Sequence, residues 1–221
     1  MTRGIFIAGN ESALSRAIEA ETAARVEKFT VALISNRLSG ASKHPTVENV
    51  KRIPLDWNPA SPISARTLIL AAENRLEQID EAILICSPPS IRSAVAELSI
   101  SDIEIMINDH IKGWFFLVKE LAAIFSARGR GTLVLVYPDI AGSGKDDCAE
   151  VFGPSALASF RALALELLAA ARSEPYITVG FSALEAGNEA AFAAFIYKTL
   201  DEITKRSNGK LHKFGKFNLF K

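Results

Sequence analysis

Residues 4–20 read GIFIAGNESALSRAIEA: a short apolar run, a turn at Gly9, then a helical pattern from about Glu11. A strand feeding a turn and then a helix is the first half of a βαβ unit, and its turn faces whatever binds at the strand's carboxyl end. A phosphate-binding turn of this kind carries further glycines, because missing side chains let backbone N–H groups approach an anion at the helix N-terminus. Here Gly9 is followed by Asn10, Glu11, Ser12, Ala13, Leu14 and Ser15. The stretch keeps the outline of a nucleotide-binding unit without its glycines, so the remainder of the chain must decide whether chemistry survives.

The same alternation continues to the C-terminus. Apolar runs at 4–8, 30–35, 49–55, 81–86, 131–137, 176–181 and, more weakly, 210–214 are separated by helical patterns at about 11–28, 63–79, 90–98, 102–128, 151–172 and 188–206. Continuously apolar strands separated by helices predict a parallel sheet covered on both faces. Right-handed crossovers then make it an α/β, doubly wound, Rossmann-like sheet of about seven strands. No repeat, low-complexity tract or linker interrupts the pattern, which reads as one domain over 1–221 with a basic, aromatic tail, NGKLHKFGKFNLFK, from about Asn208.

Composition narrows the function classes. The 25 basic and 25 acidic residues cancel, which gives no electrostatic case for nucleic acid or a membrane surface as partner. Cys86 and Cys148 are too few for a disulfide framework and suit a reducing compartment. No apolar run approaches the ~20 residues of a membrane span, and MTRGIFIAGNES lacks the pattern of a signal peptide. The expectation is a cytoplasmic protein. A hydrophobic share of 49% leaves apolar surface beyond what the core needs, a pointer to a subunit interface.

Two helices carry that pointer. VFGPSALASFRALALELLAAA, 151–171, is apolar nearly all round, with Arg161 and Glu166 as its only charges. MINDHIKGWFFLVKELAAIFSA, 106–127, has Trp114, Phe115 and Phe116 in a row, which cannot all point at one core. A one-sided surface helix shows a polar face. Either both helices are packed deep within the domain or their outer sides meet another subunit, and the second reading is favoured because the outer helix faces of an α/β domain are otherwise wet.

Taken together, the order and spacing of several short words resemble the short-chain dehydrogenase/reductase family over essentially the whole chain. The carrying features are Gly9 with SRAIEA opening the helix, PLDW at 54–57, IDEAILI at 79–85, the long helix before GRGTLVLV, the small-residue helix ending LALELLAAA, and NGKLHKFG at 208–215. The resemblance implies a seven-stranded parallel sheet, NAD or NADP as cofactor, and pairing of subunits through helices near 102–128 and 151–172. It places Gly9 at the first glycine of a G-x-x-x-G-x-G phosphate turn, Arg37 where the adenosine ribose is discriminated, and Asp56 beside the adenine. Asp56 is equally suited to cap the following helix.

Position by position, the family's chemistry is missing. The second and third glycines fall on Ala13 and Ser15, and Glu11 adds a negative charge near the phosphates. The loop after the fourth strand reads ICSPP, where Pro88 and Pro89 remove two backbone donors. The family's acid/base pair is Tyr-x-x-x-Lys, one helical turn apart so that the ammonium lies beside the phenol. Four residues beyond Tyr137, Tyr176 and Tyr197 stand Ala141, Gly180 and Asp201, so the pair exists nowhere. Its Tyr falls near Ala149 or Glu150 and its Lys near Gly153 or Pro154. The Ser falls near Tyr137–Pro138, and the helix Asn near His110, with Asn108 two residues earlier. No lid-forming stretch separates YITVGF from the last helix. No zinc-ligand spacing is present, GSGK at 142–145 lacks the glycines of a phosphate loop, and a gathering of His110, Lys112 and Tyr137 is the only substitute constellation.

The sequence therefore predicts no catalytic residue and no metal, and a vestigial cofactor site at Gly9, Arg37 and Asp56. The resemblance implies a structural or regulatory subunit beside an active NAD(P)-dependent relative, or a homo-oligomer. Such pairings exist in the family, one in an alcohol dehydrogenase of anaerobic toluene (benzylsuccinate) breakdown that acts on a hydroxyacyl-CoA thioester. An oxidoreductase with a rearranged acid/base set and a nucleotide-sensing module remain the alternatives.

Overall fold

Seven strands make up the sheet: β1 (Ile5–Asn10), β2 (Phe29–Ile34), β3 (Arg52–Pro54), β4 (Glu81–Ile85), β5 (Thr132–Pro138), β6 (Ile177–Ala183) and β7 (Leu211–Phe214). They lie in the order β3-β2-β1-β4-β5-β6-β7, every neighbour parallel. The computed structural model describes residues 3–34, 51–88, 95–139, 152–185 and 187–215. The chain runs outward from β1 to β3 and then returns to build β4 to β7 on the other side. That reversal puts the topological switch point, where such sheets bind ligands, between the carboxyl ends of β1 and β4.

Alternate strand residues divide the core in two. Phe6, Ala8, Leu84, Leu133, Leu135 and Tyr137 face one side, where α2 (Pro62–Leu76), α4 (Gly113–Arg128) and α5 (Phe152–Ala170) cover them. Ile5, Ile7, Ile83, Ile85, Val134 and Val136 face the other, under α1 (Ala13–Arg25) and α6 (Glu189–Asp201). Burial of each such side chain contributes about 1.5–3 kcal/mol, and this two-sided demand is why the strands read as unbroken apolar runs.

Local signals set the helix ends. Ser12 starts α1 and Ser99 starts α3 (Ile100–Ile107), each through a capping box, and Ser61 starts α2. Glu77, at φ 68°, ends α2 three residues short of the expected 79. The helix expected at 90–98 is present only as a single 3₁₀ turn, Val95–Glu97, with 89–94 outside the described residues. The long helix expected at 102–128 begins earlier, as α3, and passes through a π-helical segment, Asn108–Lys112, into α4. The last helix stops at Asp201, short of the expected 206, and a 3₁₀ turn at Lys205–Ser207 follows. The expected tail from Asn208 is part of the sheet at its start, because β7 pairs with β6.

One expectation needs correcting. The segment Phe152–Ser173, α5 and the turn after it, is long and apolar enough to cross a membrane by length and composition. Here Ala156, Phe160, Ala164 and Leu168 are buried on the sheet, so part of its apolarity serves the core. Pro154, Ala158, Ala162 and Leu165 on its outer side are exposed. With Phe115 and Ile107, 51% and 43% exposed, they leave apolar outer faces uncovered by any described residue, while Trp114 and Phe160 of the same helices are buried in the core.

On the opposite face a buried hydrogen bond joins α1 to α6. Thr22 Oγ1 donates to Ile18 O at 2.7 Å, so the Tyr197 hydroxyl must donate to Thr22 Oγ1. Burial, the larger effect, pushes the Tyr197 phenol up, which keeps it a donor. Thr22→Val removes the acceptor and leaves that hydroxyl unpaired. The expected loss is about 1–3 kcal/mol in urea unfolding, with part of it recovered when Tyr197→Phe is added.

Candidate functional site

Gly9 and Asn10 stand at the switch point. Gly9 has no positive φ; its side chain is missing for another reason. A Cβ there would lie 2.8 Å from Ile85 O and 2.9 Å from Ile85 Cβ, because β1 and β4 pair closely at this rung. The glycine that resembles the start of a phosphate turn is thus demanded by sheet packing.

Asn10 closes the crevice beyond it. The side chain is fully buried. Ser87 N, in the loop after β4, donates to its Oδ1 at 3.1 Å, and its Nδ2 lies 2.7 Å from His110 Nδ1. The Ser87 amide can only donate, so the Asn10 oxygen faces it and the NH₂ faces the imidazole. His110 Nδ1 therefore accepts and the ring proton sits on Nε2. The residues Asn10, Ser87 and His110 tie three elements together across the place where a ligand of this fold would lie.

His110 reaches Asn10 because of the π segment. In an ordinary helix the amide of Gly113 would bond four residues back; here it donates to Asn108 O, five back, and widens the turn. The loop carrying Trp57 and Pro59 presses on that turn. A Cβ on Gly113 would lie 2.8 Å from Pro59 Cβ and 3.1 Å from Trp57 Cη2. Asn108 points outward, its Oδ1 3.5 Å from Lys112 Nζ. The position matched to the family's helix asparagine is thus filled by a buried imidazole that burial pushes down to about 4, a neutral hydrogen-bond acceptor at ordinary pH.

The helix end beside it is also closed. Ser15 N donates to Ser12 Oγ at 3.1 Å and Ser12 N donates to Ser15 Oγ at 2.9 Å, while Glu11 N is bound to Ile34 O at 3.1 Å. Of the donors that would cradle a phosphate, those of Ala13 and Leu14 are left among the described residues. They open on a cavity of about 180 Å³ lined also by Ser87, Pro138, Glu185 and Glu189. Small-molecule sites span about 300–1,000 Å³, and two carboxylates repel a pyrophosphate. Among the described residues, this rim does not fit a pyrophosphate.

The other sequence-derived positions separate. Asp56 is exposed in the loop after β3 and does not cap α2, whose cap is Ser61. Arg37, Cys148, Ala149, Glu150 and GSGK lie outside the described residues. Gly153 and Pro154 open α5. No hydrogen bond joins His110, Lys112 and Tyr137 to one another among the described residues. Lys112 is exposed over the Phe116 ring, and Tyr137 is buried against Phe160 with its hydroxyl unpartnered among the described residues. Burial pushes that phenol up, as it does the thiol of Cys86. Only five residues separate β6 from α6, so no lid segment lies between them. In the sequence Asn10 stands out only as a non-glycine, and His110 as the residue near the family's helix Asn and a member of the constellation with Lys112 and Tyr137. Their pairing over 100 positions had no local signal beyond a polar residue at the buried end of β1.

No protein-family model matches the chain, and no curated protein matches it in sequence. Solved structures match in fold. Levodione reductase shares 12% identity at a TM-score of 0.72, with 96% of this chain and 95% of that one covered. A short chain dehydrogenase from Bacillus anthracis str. 'Ames Ancestor' shares 13% at 0.72, covering 96% and 94%. The NADH-dependent reductase A1-R′, complexed with NAD, shares 14% at 0.70, covering 96% and 95%. The fold is that of the short-chain dehydrogenase/reductases.

Two outcomes test this geometry. Gly9→Ala forces the β1 and β4 backbones apart and is expected to cost about 1–3 kcal/mol in chemical denaturation. His110 is held neutral when folded but protonates near 6.5 when unfolded, so the unfolded state binds the extra proton between pH 6.5 and about 4. Stability therefore falls as pH is lowered through that window, by about 3 kcal/mol in all. His110→Gln should flatten that part of the profile when unfolding is measured at pH 7, 5.5 and 4.5.

Proposed function

We propose that this chain is a non-catalytic subunit on the short-chain dehydrogenase/reductase fold, a structural or regulatory partner of an active NAD(P)-dependent relative. One observation carries the reading: the switch-point crevice is filled by Asn10, bonded to Ser87 and His110. The self-capped start of α1 and the missing Tyr-x-x-x-Lys pair support it. Those features argue against cofactor binding and against proton transfer separately, and a chain without either would keep its fold for another reason.

The outer faces of α4 and α5 supply that reason. A groove of about 340 Å³ is floored by Pro154, Leu157, Ala158, Ala162 and Leu165, and the Asp139–Arg161 ion pair, at 2.9 Å, forms its polar edge. Small residues at the exposed positions Pro154, Ala158 and Ala162 let a second helix approach closely, and exposed Phe115 on α4 offers the large anchor such interfaces favour. The preferred occupant is the matching helix pair of an intact relative, in which case the partner alone binds nucleotide and does chemistry in the cytoplasm.

Titration of the purified chain with NAD(H) and NADP(H), read by tryptophan quenching and thermal shift, tests the first half. The expected result is no binding at millimolar concentration, and micromolar affinity for either cofactor would overturn the reading. For the second half, Leu165→Glu and Phe115→Glu should leave the fold intact by circular dichroism. Each should abolish co-assembly with a co-expressed relative that retains Tyr-x-x-x-Lys.

A further inference from the structure

The largest cavity among those described lies at the opposite end of the sheet. It measures about 690 Å³ and opens between the end of α5, the start of β6 and the 3₁₀ turn Lys205–Ser207. Arg172, Lys205, Arg206 and Lys210 line it, against Glu174 as its one carboxylate. None of the four cations has an ion-pair partner among the described residues. In a chain of zero net charge, four unpaired cations around one concavity form a local positive field.

An ordinary role for these cations would be to complement the negative end of α5. The terminal carbonyls already have partners, however. Ala171 O accepts from Asn208 Nδ2 at 2.8 Å and from Glu174 N at 3.2 Å, and Ala170 O accepts from Ser173 Oγ at 2.7 Å. Asn208 also accepts from Thr178 N at 2.8 Å, so a single side chain clamps the basic turn to both α5 and β6. The cations are thus presented on a fixed frame. Between them Pro175 and Ile177 line an apolar part of the cavity.

We propose that this cavity binds an organic polyphosphate of nucleoside diphosphate size, at a site separate from the strand-end crevice. Paired guanidinium groups suit the oxygens of a phosphate chain, and the volume falls within the range of small-molecule sites. The apolar part receives the ring or chain that carries the phosphates. The site stands independently of the non-catalytic reading, since it shares no residue with the crevice.

The probes are ADP, inorganic pyrophosphate and adenosine, measured by calorimetry on the full chain. ADP should bind at least tenfold tighter than either of the others. Arg172→Gln combined with Arg206→Gln should weaken ADP at least tenfold, and Arg66→Gln, an exposed charge on α2, should leave it unchanged. His212 gives a second reading, because burial first and Lys210 second hold its imidazole below the ordinary range. Its NMR titration should move upward when ADP neutralises Lys210. Absent ADP binding at millimolar concentration, unchanged affinity in the double variant, pyrophosphate as tight as ADP, or an unmoved His212 titration would each overturn the proposal.

Discussion

The close approach of β1 to the chain that forms β4 governs the structure. At the lower end of β1 a Cβ on Gly4 would meet Gln78 O at 1.9 Å, and at the upper end a Cβ on Gly9 would meet Ile85 O at 2.8 Å. Both glycines face the same segment of chain, so β1 slots between its neighbours with no room for a side chain at either end. All five residues of β4 are buried beside it. The polar groups at the upper rim must then find partners inside the protein, since water cannot reach them. Asn10 meets that demand for Ser87 N–H and for His110 at once.

This economy changes what the carboxyl end of the sheet can do. A binding site in such a fold depends on donors left without intramolecular partners, because those are the groups a ligand can satisfy. Here Ser12 and Ser15 satisfy each other, Ile34 O takes the Glu11 amide, and Asn10 takes Ser87. Each bond that stabilises the empty rim also competes with a bound phosphate. The opposite end shows the converse arrangement, with backbone groups satisfied by Asn208 and charged side chains left over.

The fold was legible because burial on both faces of a parallel sheet forces continuous apolar strands, as EAILI of β4 and TLVLV of β5 show. Helix boundaries were less legible. Nothing in a propensity pattern marks Glu77 as left-handed, and the end of α2 at Leu76 reflects the turn into β4 rather than a weak helix former. The π segment was also hidden, since one inserted residue leaves the apolar spacing on either side intact. Loss of the Tyr–Lys pair could be read by counting, because that motif is local. The crevice-filling contact could not, since Asn10 and His110 are distant in sequence and become neighbours only when the π turn rotates the imidazole inward. The basic cavity was missed for the same reason: Arg172 and Lys210 belong to different elements joined by Asn208.

A fold can outlast its chemistry when the two draw on different residues. The core clusters on the two faces consist of side chains that do not line the strand-end rim cavity, apart from Leu14, Ala183 and Phe192 at its margin. Ala13 and Ser15 stand where a phosphate turn would carry glycines, and they give α1 helix propensity and a capping box, so the same positions stabilise the helix. Activity at the rim opposes such residues only while the site is in use. The outer faces of α4 and α5 follow another logic. Exposed Phe115 and Leu165 raise the hazard of nonspecific association in a free chain, and nothing in the fold itself requires an aromatic ring there. Under the proposed reading a subunit contact accounts for their presence, and the interface rather than the crevice is then the functional surface.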